Sequence, residues 1–84
     1  MEYKVLIKLY VPEIEKKYDI YIPINKTVSQ VLVLINRLIN NATGGIYPLK
    51  NNIYLANRKT FNIYTNDAVI RNTDIRNGTE LVLM

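Results

Sequence analysis

Acid–base or nucleophilic chemistry in this chain would depend on its carboxylates, because it contains no histidine and no cysteine. The acidic residues are Glu2, Glu13, Glu15, Asp19, Asp67, Asp74 and Glu80. A pair of carboxylates can act as acid and base when their environments separate the two pKa values. No two of these residues are spaced to share a helical face or an apolar pocket. We therefore expect no catalytic residue and no enzymatic activity.

Metal and cofactor sites find equally little support in the residue types. Thiolate and imidazole ligands are absent, and so is any disulfide framework. The glycine pair Gly44-Gly45 lacks the Lys-Ser/Thr sequence that a phosphate-binding loop requires. We expect no metal and no cofactor.

Residues suited to surface recognition are better represented. The chain has seven tyrosines, one phenylalanine and no tryptophan. Tyrosine suits a half-exposed sheet or an interface, although it also simply favours strands. The net charge of +4 comes from basic residues that form no long block, so it fits solubility as well as polyanion binding.

The pattern of apolar residues predicts a hairpin at the start of the chain. Residues 3–11 alternate with period two, which indicates a strand. Its inward side chains are Tyr3, Val5, Ile7, Leu9 and Val11. Its outward side chains are Lys4, Leu6, Lys8 and Tyr10. A proline and four charges over residues 12–17 indicate a turn, and residues 18–22 alternate again.

A helix is predicted from Thr27 to about Asn41. Thr27 and Gln30 have the spacing of a capping box, in which each residue satisfies a backbone N–H of the other. The predicted inward face consists of Val28, Val31, Leu32, Ile35, Leu38 and Ile39. The predicted polar face consists of Ser29, Asn36, Arg37 and Asn40. Val33 and Leu34 widen the apolar arc, and Gly44-Gly45 suits a left-handed helix end.

Three further strands are predicted after the helix. They cover residues 53–56, a weaker segment at 60–64, and residues 80–83 after an Asn77-Gly78 turn. The resulting ββαβββ order predicts one domain over residues 1–84. Its simplest packing is an α+β β-grasp, a mixed sheet of four to five strands on one helix. The first and last strands would lie parallel in the middle.

This order, the capped helix and the ending at residues 74–83 resemble ubiquitin-like domains along the whole chain. Within them, residues 53–61 and 74–83 are similar to the YukD/EsaB proteins of bacterial type VII (ESX-like) secretion. The resemblance implies a cytoplasmic accessory or regulatory protein that binds other components without modifying them. A conjugated modifier needs a C-terminal Gly-Gly, and here the last strand ends at Met84. Neither a signal peptide nor a membrane span is expected.

A protein-binding patch is the candidate site. Alternation places one set of side chains on the outward sheet face: Lys4, Leu6, Lys8, Tyr10, Tyr21, Tyr54, Val82 and Met84. The resemblance to ubiquitin implies that this face is a recognition surface, and apolar residues with a polar rim suit a binding hot spot. A second candidate surface is the widened helix face at Val33 and Leu34.

Three alternatives remain open at this point. The same apolar residues could form a homodimer contact. The chain could be a free-standing β-grasp adaptor of another bacterial system. Lysines interleaved with tyrosines could also stack nucleic-acid bases, although the basic residues are dispersed and no RNA-recognition consensus is present.

Overall fold

The computed structural model describes residues 3–84, in which a mixed four-stranded sheet packs against one α-helix. The elements are β1 (Lys4–Val11), β2 (Lys16–Pro23), α1 (Val28–Ala42), β3 (Leu55–Asn57) and β4 (Glu80–Leu83). The strand order is β2-β1-β4-β3, with β4 parallel to β1 and the other pairs antiparallel. This order confirms the predicted β-grasp with its central parallel pair.

The β1–β2 hairpin follows from the alternation of apolar residues in both strands. Ile7 and Ile20 lie opposite each other on the face that carries the core, and both are buried. The connection is a 3-10 helix over Pro12–Ile14, followed by Glu15 in the left-handed region with φ 53°. Pairing of Val11 with Lys16 starts β2 two residues before the predicted Tyr18.

The predicted capping box begins α1. The Gln30 N–H donates to Thr27 Oγ1 at 3.3 Å, and the Thr27 N–H donates to Gln30 Oε1 at 2.9 Å. The inward face is buried as predicted, with one exception. Leu38 is 44% exposed, because it lies on the flank of the helix outside the arc that faces the sheet. Within residues 3–84 no helix is long and apolar enough to cross a membrane.

The prediction that Asn36 lies on the polar, exposed face of α1 is wrong, because this residue is buried with 3% of its surface exposed. Its Nδ2 donates to the Pro48 carbonyl at 3.0 Å, and its Oδ1 accepts from the Lys50 N–H at 2.6 Å. The segment after the helix therefore packs over a side chain that would otherwise face water. A buried amide is tolerated here because both of its ends have partners.

The weaker strand predicted at residues 60–64 does not form, and this segment contributes one isolated bridge between Ile63 and Ala56. A turn takes its place. Asn57 Oδ1 accepts hydrogen bonds from the backbone N–H groups of Lys59 and Thr60, and Phe61 has φ 60°. Side-chain bonds of this kind compete with strand pairing.

Tyr64 connects this segment to Asp74, and its ionisation should lower the stability of the protein at high pH. Its hydroxyl donates to Asp74 Oδ1 at 2.6 Å, and burial followed by that bond raises the pKa of Tyr64 to about 12. Because the pKa of Tyr64 is higher in the folded state, the contribution of this side chain to the free energy of unfolding is intact below pH ~10. It is lost as the pH rises through ~12.

Urea denaturation of the protein and of Tyr64→Phe at several values between pH 9 and 12 measures this effect. We expect the original protein to lose on the order of 1 kcal/mol more than the variant, after allowing for solvent screening of a partly exposed group. Parallel losses of unfolding free energy in the two proteins would contradict the assignment.

Candidate protein-binding surface

The sheet face opposite α1, here called the outer sheet face, is arranged in rows. Directly paired residues on neighbouring strands share a face, so the registers define which side chains are adjacent. Lys8 lies between Asp19 on β2 and Glu80 on β4. One step along, Tyr10 lies beside Val82, which in turn lies opposite Ala56. These rows decide how the predicted patch is organised.

The first row, called the charged row, alternates in sign across the sheet. Its members are Asp19, Lys8, Glu80 and Arg58. Arg58 belongs to it because its N–H donates to the Glu80 carbonyl at 2.9 Å. Opposite charges on adjacent strands compensate one another, although exposed pairs of this kind stabilise little. The charged row is therefore a polar border across the sheet.

The second row, called the apolar stripe, lies next to the charged row. It consists of Tyr10, Val82, Ala56 and Ile63, together with the neighbouring pair Tyr54 and Met84. Tyr54 and Met84 exchange two backbone hydrogen bonds, with N···O distances of 2.7 and 2.9 Å, so they extend the β3–β4 ladder by one pair. The stripe is the largest apolar group that the registers bring together on this face.

Exposure divides the stripe into a floor and a rim. Val82 and Ala56 are only 5% and 0% exposed, although they point away from the core under α1. Tyr54, Ile63 and Met84 are 47%, 54% and 45% exposed and stand around that floor. A partner would therefore contact the rim directly and would reach little of the floor.

Arg58 joins the two rows. Its guanidinium lies over the Tyr10 ring, 4.6 Å from the ring centroid. This cation–π contact holds the positive charge beside the apolar stripe. Arg58 is thus a hydrogen-bond donor at the edge of the stripe, and arginine is one of the residue types enriched at protein interfaces.

The structure separates the eight predicted patch residues into groups. Tyr10, Tyr54, Val82 and Met84 belong to the apolar stripe, and Lys8 belongs to the charged row. The remaining three, Lys4, Leu6 and Tyr21, lie beyond the charged row and line an open depression of about 600 Å³ with Asn77 and Gly78. The predicted outward orientation of the β1 residues agrees with the register, but the patch is not continuous.

Sequence reasoning missed Ala56, Ile63 and Arg58. Alternation from Tyr54 would have placed Ala56 on the outer sheet face, so that signal was present. Ile63 joins the stripe only through its bridge to Ala56, and Arg58 only through its contact with Tyr10. Neither contact is visible in a local sequence pattern.

The second predicted surface, at Val33 and Leu34, is divided between two flanks of α1. Both side chains are exposed, at 56% and 46%. Val33 lines a cleft of about 200 Å³ with Leu32 and Ile53. Leu34 lies on the other flank, one helical turn before Leu38. These two residues do not form one surface.

Comparison with solved structures finds the same fold over almost the whole chain. A chain of the MycP5-free ESX-5 inner membrane complex matches with a TM-score of 0.82 and 13% identity, over 99% of this chain and 21% of that chain. The ubiquitin-like domain of an Arabidopsis thaliana protein matches with a TM-score of 0.68 and 17% identity, over 99% and 78%. An N-terminal ubiquitin-like domain solved in solution matches with a TM-score of 0.68 and 11% identity, over 100% and 76%.

The fold is therefore ubiquitin-like. The present chain spans about a fifth of the ESX-5 chain that it matches. No protein-family model and no curated protein matches the sequence.

Proposed function

We propose that this protein is a non-catalytic, ubiquitin-like interaction module that binds a protein partner through the apolar stripe. We further propose that it is a cytoplasmic accessory or regulatory component of a bacterial type VII secretion system, similar to YukD/EsaB. The observation that carries the first part is the stripe itself, with half-exposed Tyr54, Ile63 and Met84 around a buried floor.

The composition of the stripe supports a protein partner. Protein interfaces are enriched in aromatic residues, methionine and arginine. The stripe offers Tyr10, Tyr54 and Met84 with Arg58 beside them. A small central group surrounded by polar residues that exclude water is the usual arrangement of a binding hot spot.

The charged row argues against the nucleic-acid alternative. A surface that follows a phosphate backbone needs clustered positive charge. Here Lys8 lies between Asp19 and Glu80, so its charge is compensated on both neighbouring strands. The outer sheet face is therefore better suited to a partner with mixed polar and apolar groups.

The secretion part of the proposal rests on two similarities. Residues 53–61 and 74–83 resemble YukD/EsaB proteins, and the structure matches a chain of an ESX-5 inner membrane complex. An ESX-5 complex thus contains a domain of this shape, and ESX-like secretion is the setting of the YukD/EsaB proteins. The proposal assigns the present chain the same kind of setting.

Photo-crosslinking in the native bacterium tests the proposal. A photoreactive amino acid replaces Tyr54 in one strain and the exposed Lys26, in the loop before α1, in the control strain. We expect the Tyr54 position to capture a component of a type VII secretion apparatus, and the Lys26 position to capture much less of it. Capture of components of another system only would favour the adaptor alternative and contradict the secretion proposal.

A further inference from the structure

The edge of the sheet at β2 has open backbone groups. Within the described chain β2 has one neighbour, β1, and it runs for eight residues. The Ile24 N–H donates to the Tyr3 carbonyl at 2.8 Å, so these two residues form a hydrogen-bonded pair. Hydrogen-bonded and non-hydrogen-bonded pairs alternate from there along the two antiparallel strands. It follows from the register that Tyr18, Ile20 and Ile22 bond to β1. The alternate residues, Lys17, Asp19 and Tyr21, direct their N–H and C=O groups away from the sheet.

We propose that this edge pairs in antiparallel fashion with the same edge of a second copy, around a twofold axis at Tyr18. In that register Lys17 lies opposite Asp19 of the second copy, and Asp19 lies opposite Lys17 of the second copy. Each pair exchanges backbone hydrogen bonds, and each brings opposite charges together. The two sheets then form one continuous eight-stranded sheet.

Charge complementarity selects this register. An open group can pair only with another open group, so only registers that place Lys17, Asp19 or Tyr21 opposite one another or opposite their equivalents are available. In the proposed register the backbone pairing runs through Lys17 and Asp19, and Tyr21 lies opposite the turn at Glu15 of the second copy. Axes at Lys17 and at Asp19 place like charges opposite each other, which is destabilising. An axis at Ile20 places Lys17 opposite Pro23, which has no N–H to donate. Among these axes, the one at Tyr18 pairs opposite charges twice.

Apolar surface on the helix side of the β2 edge also supports pairing with a second copy of the chain. A cleft of about 380 Å³ between β2 and the end of α1 is lined by Ile14, Lys16, Tyr18, Ala42, Thr43 and Ile46. Leu38 lies one helical turn before Ala42 and is 44% exposed, and Ile46 is 79% exposed. An axis at Tyr18 brings the two clefts side by side, so that pairing covers apolar surface as well as backbone.

The usual devices that protect an edge strand are incomplete here. Proteins discourage edge pairing with short strands, bulges, prolines or edge lysines. Strand β2 pairs with β1 without interruption from Lys16 to Pro23, and its proline stands at the far end. Its lysines would oppose pairing, except that the proposed register places Lys17 beside an aspartate. The edge touches the apolar stripe at one place, because Lys17 is the β2 neighbour of Tyr10. The exposed rim of the stripe at Tyr54, Ile63 and Met84 lies at the β4–β3 side of the sheet, away from this edge.

A charge-swap series tests the pairing by sedimentation velocity at low salt over a wide range of protein concentration. We expect the original protein to form dimers. Lys17→Glu and Asp19→Lys should each weaken dimerisation roughly tenfold or more, because two attractive pairs become two repulsive ones. The double variant Lys17→Glu/Asp19→Lys restores both attractions and should recover the dimer. Both side chains are exposed, so circular dichroism should show the same fold throughout, with the variants that carry Asp19→Lys slightly less stable because the new lysine lies opposite Lys8.

Single-cysteine variants test the position of the axis. Tyr18 would face its own equivalent as a non-hydrogen-bonded pair with Cα atoms about 4.5 Å apart, which a disulfide can bridge. The chain has no other cysteine. Tyr18→Cys should therefore form a covalent dimer quickly under mild oxidation. Lys16→Cys, on the same face but opposite Ile20 of the second copy, should do so slowly.

Several results would overturn the proposal. They are a monomer at every concentration, a dimer unaffected by the single swaps, a double variant that does not recover, and equal crosslinking at positions 16 and 18. None of these results depends on the secretion partner. The dimer can therefore be rejected while the proposed function stands, and the reverse also holds.

Discussion

The double variant Tyr54→Ala/Ile63→Asp is expected to lose partner capture by about 100-fold or more, because hot-spot residues each contribute roughly 2 kcal/mol or more to binding. Both side chains are about half exposed on the rim of the apolar stripe. Their replacement removes contact surface and places a charge where a partner would exclude water. The fold should be unaffected, because neither residue belongs to the buried core.

The measurement is the recovery of the crosslinked partner from the cells in which the protein naturally occurs, with a photoreactive residue at Met84. The matched control is Tyr21→Ala/Val33→Asp, which also removes one tyrosine and replaces one β-branched residue by aspartate, at exposed positions outside the stripe. Val82 is unsuitable for this test, since it is only 5% exposed and a charge there would destabilise the sheet. Recovery from Tyr54→Ala/Ile63→Asp at the level of the original protein, with thermal unfolding unchanged, would exclude the stripe as the binding surface.

Asn36→Ala is expected to destabilise the protein by about 2–4 kcal/mol, because it leaves two backbone groups without partners. The orphaned groups would be the Pro48 carbonyl and the Lys50 N–H, both of which Asn36 now satisfies. A small domain has a free energy of unfolding of only about 5–15 kcal/mol, so the loss is a large share of the total.

Chemical denaturation measures this loss, with Asn40→Ala as the control. Asn40 also bonds the segment after α1, but it does so through one contact, from its Nδ2 to the Tyr47 carbonyl at 2.8 Å. It is also partly exposed, so water can replace the lost partner. We expect a loss of about 1 kcal/mol for the control. Equal losses in the two variants would contradict the special role of Asn36.

Asn36 and Asn40 show that local sequence patterns predict individual elements but do not predict which helix residues a distant segment covers. The strands of the hairpin, the capping box at Thr27 and the final strand were predicted, because periodicity and capping are properties of neighbouring residues. Asn36 and Asn40 were assigned together to the polar face for the same reason. Nothing local distinguishes the one that residues 48–50 later cover.

The segment at residues 60–64 was predicted as a strand from its composition, and this prediction was wrong. Its composition suits a strand, but Asn57 bonds the backbone of Lys59 and Thr60, and Phe61 takes a left-handed conformation. Turn chemistry from a residue three positions earlier thus prevailed over β propensity. Only Ile63 remains paired, and it is this pairing that adds Ile63 to the apolar stripe.

The sequence by itself determined the two-layer β-grasp and the direction in which each β1 side chain points, since both follow from period-two and helical spacing along the chain. Tertiary structure alone decided which outward residues are neighbours. The register of β4 against β1 places Val82 beside Tyr10 and Glu80 beside Lys8, which separates an apolar stripe from a charged row. Register depends on how distant strands meet, and for that reason no local pattern contains it.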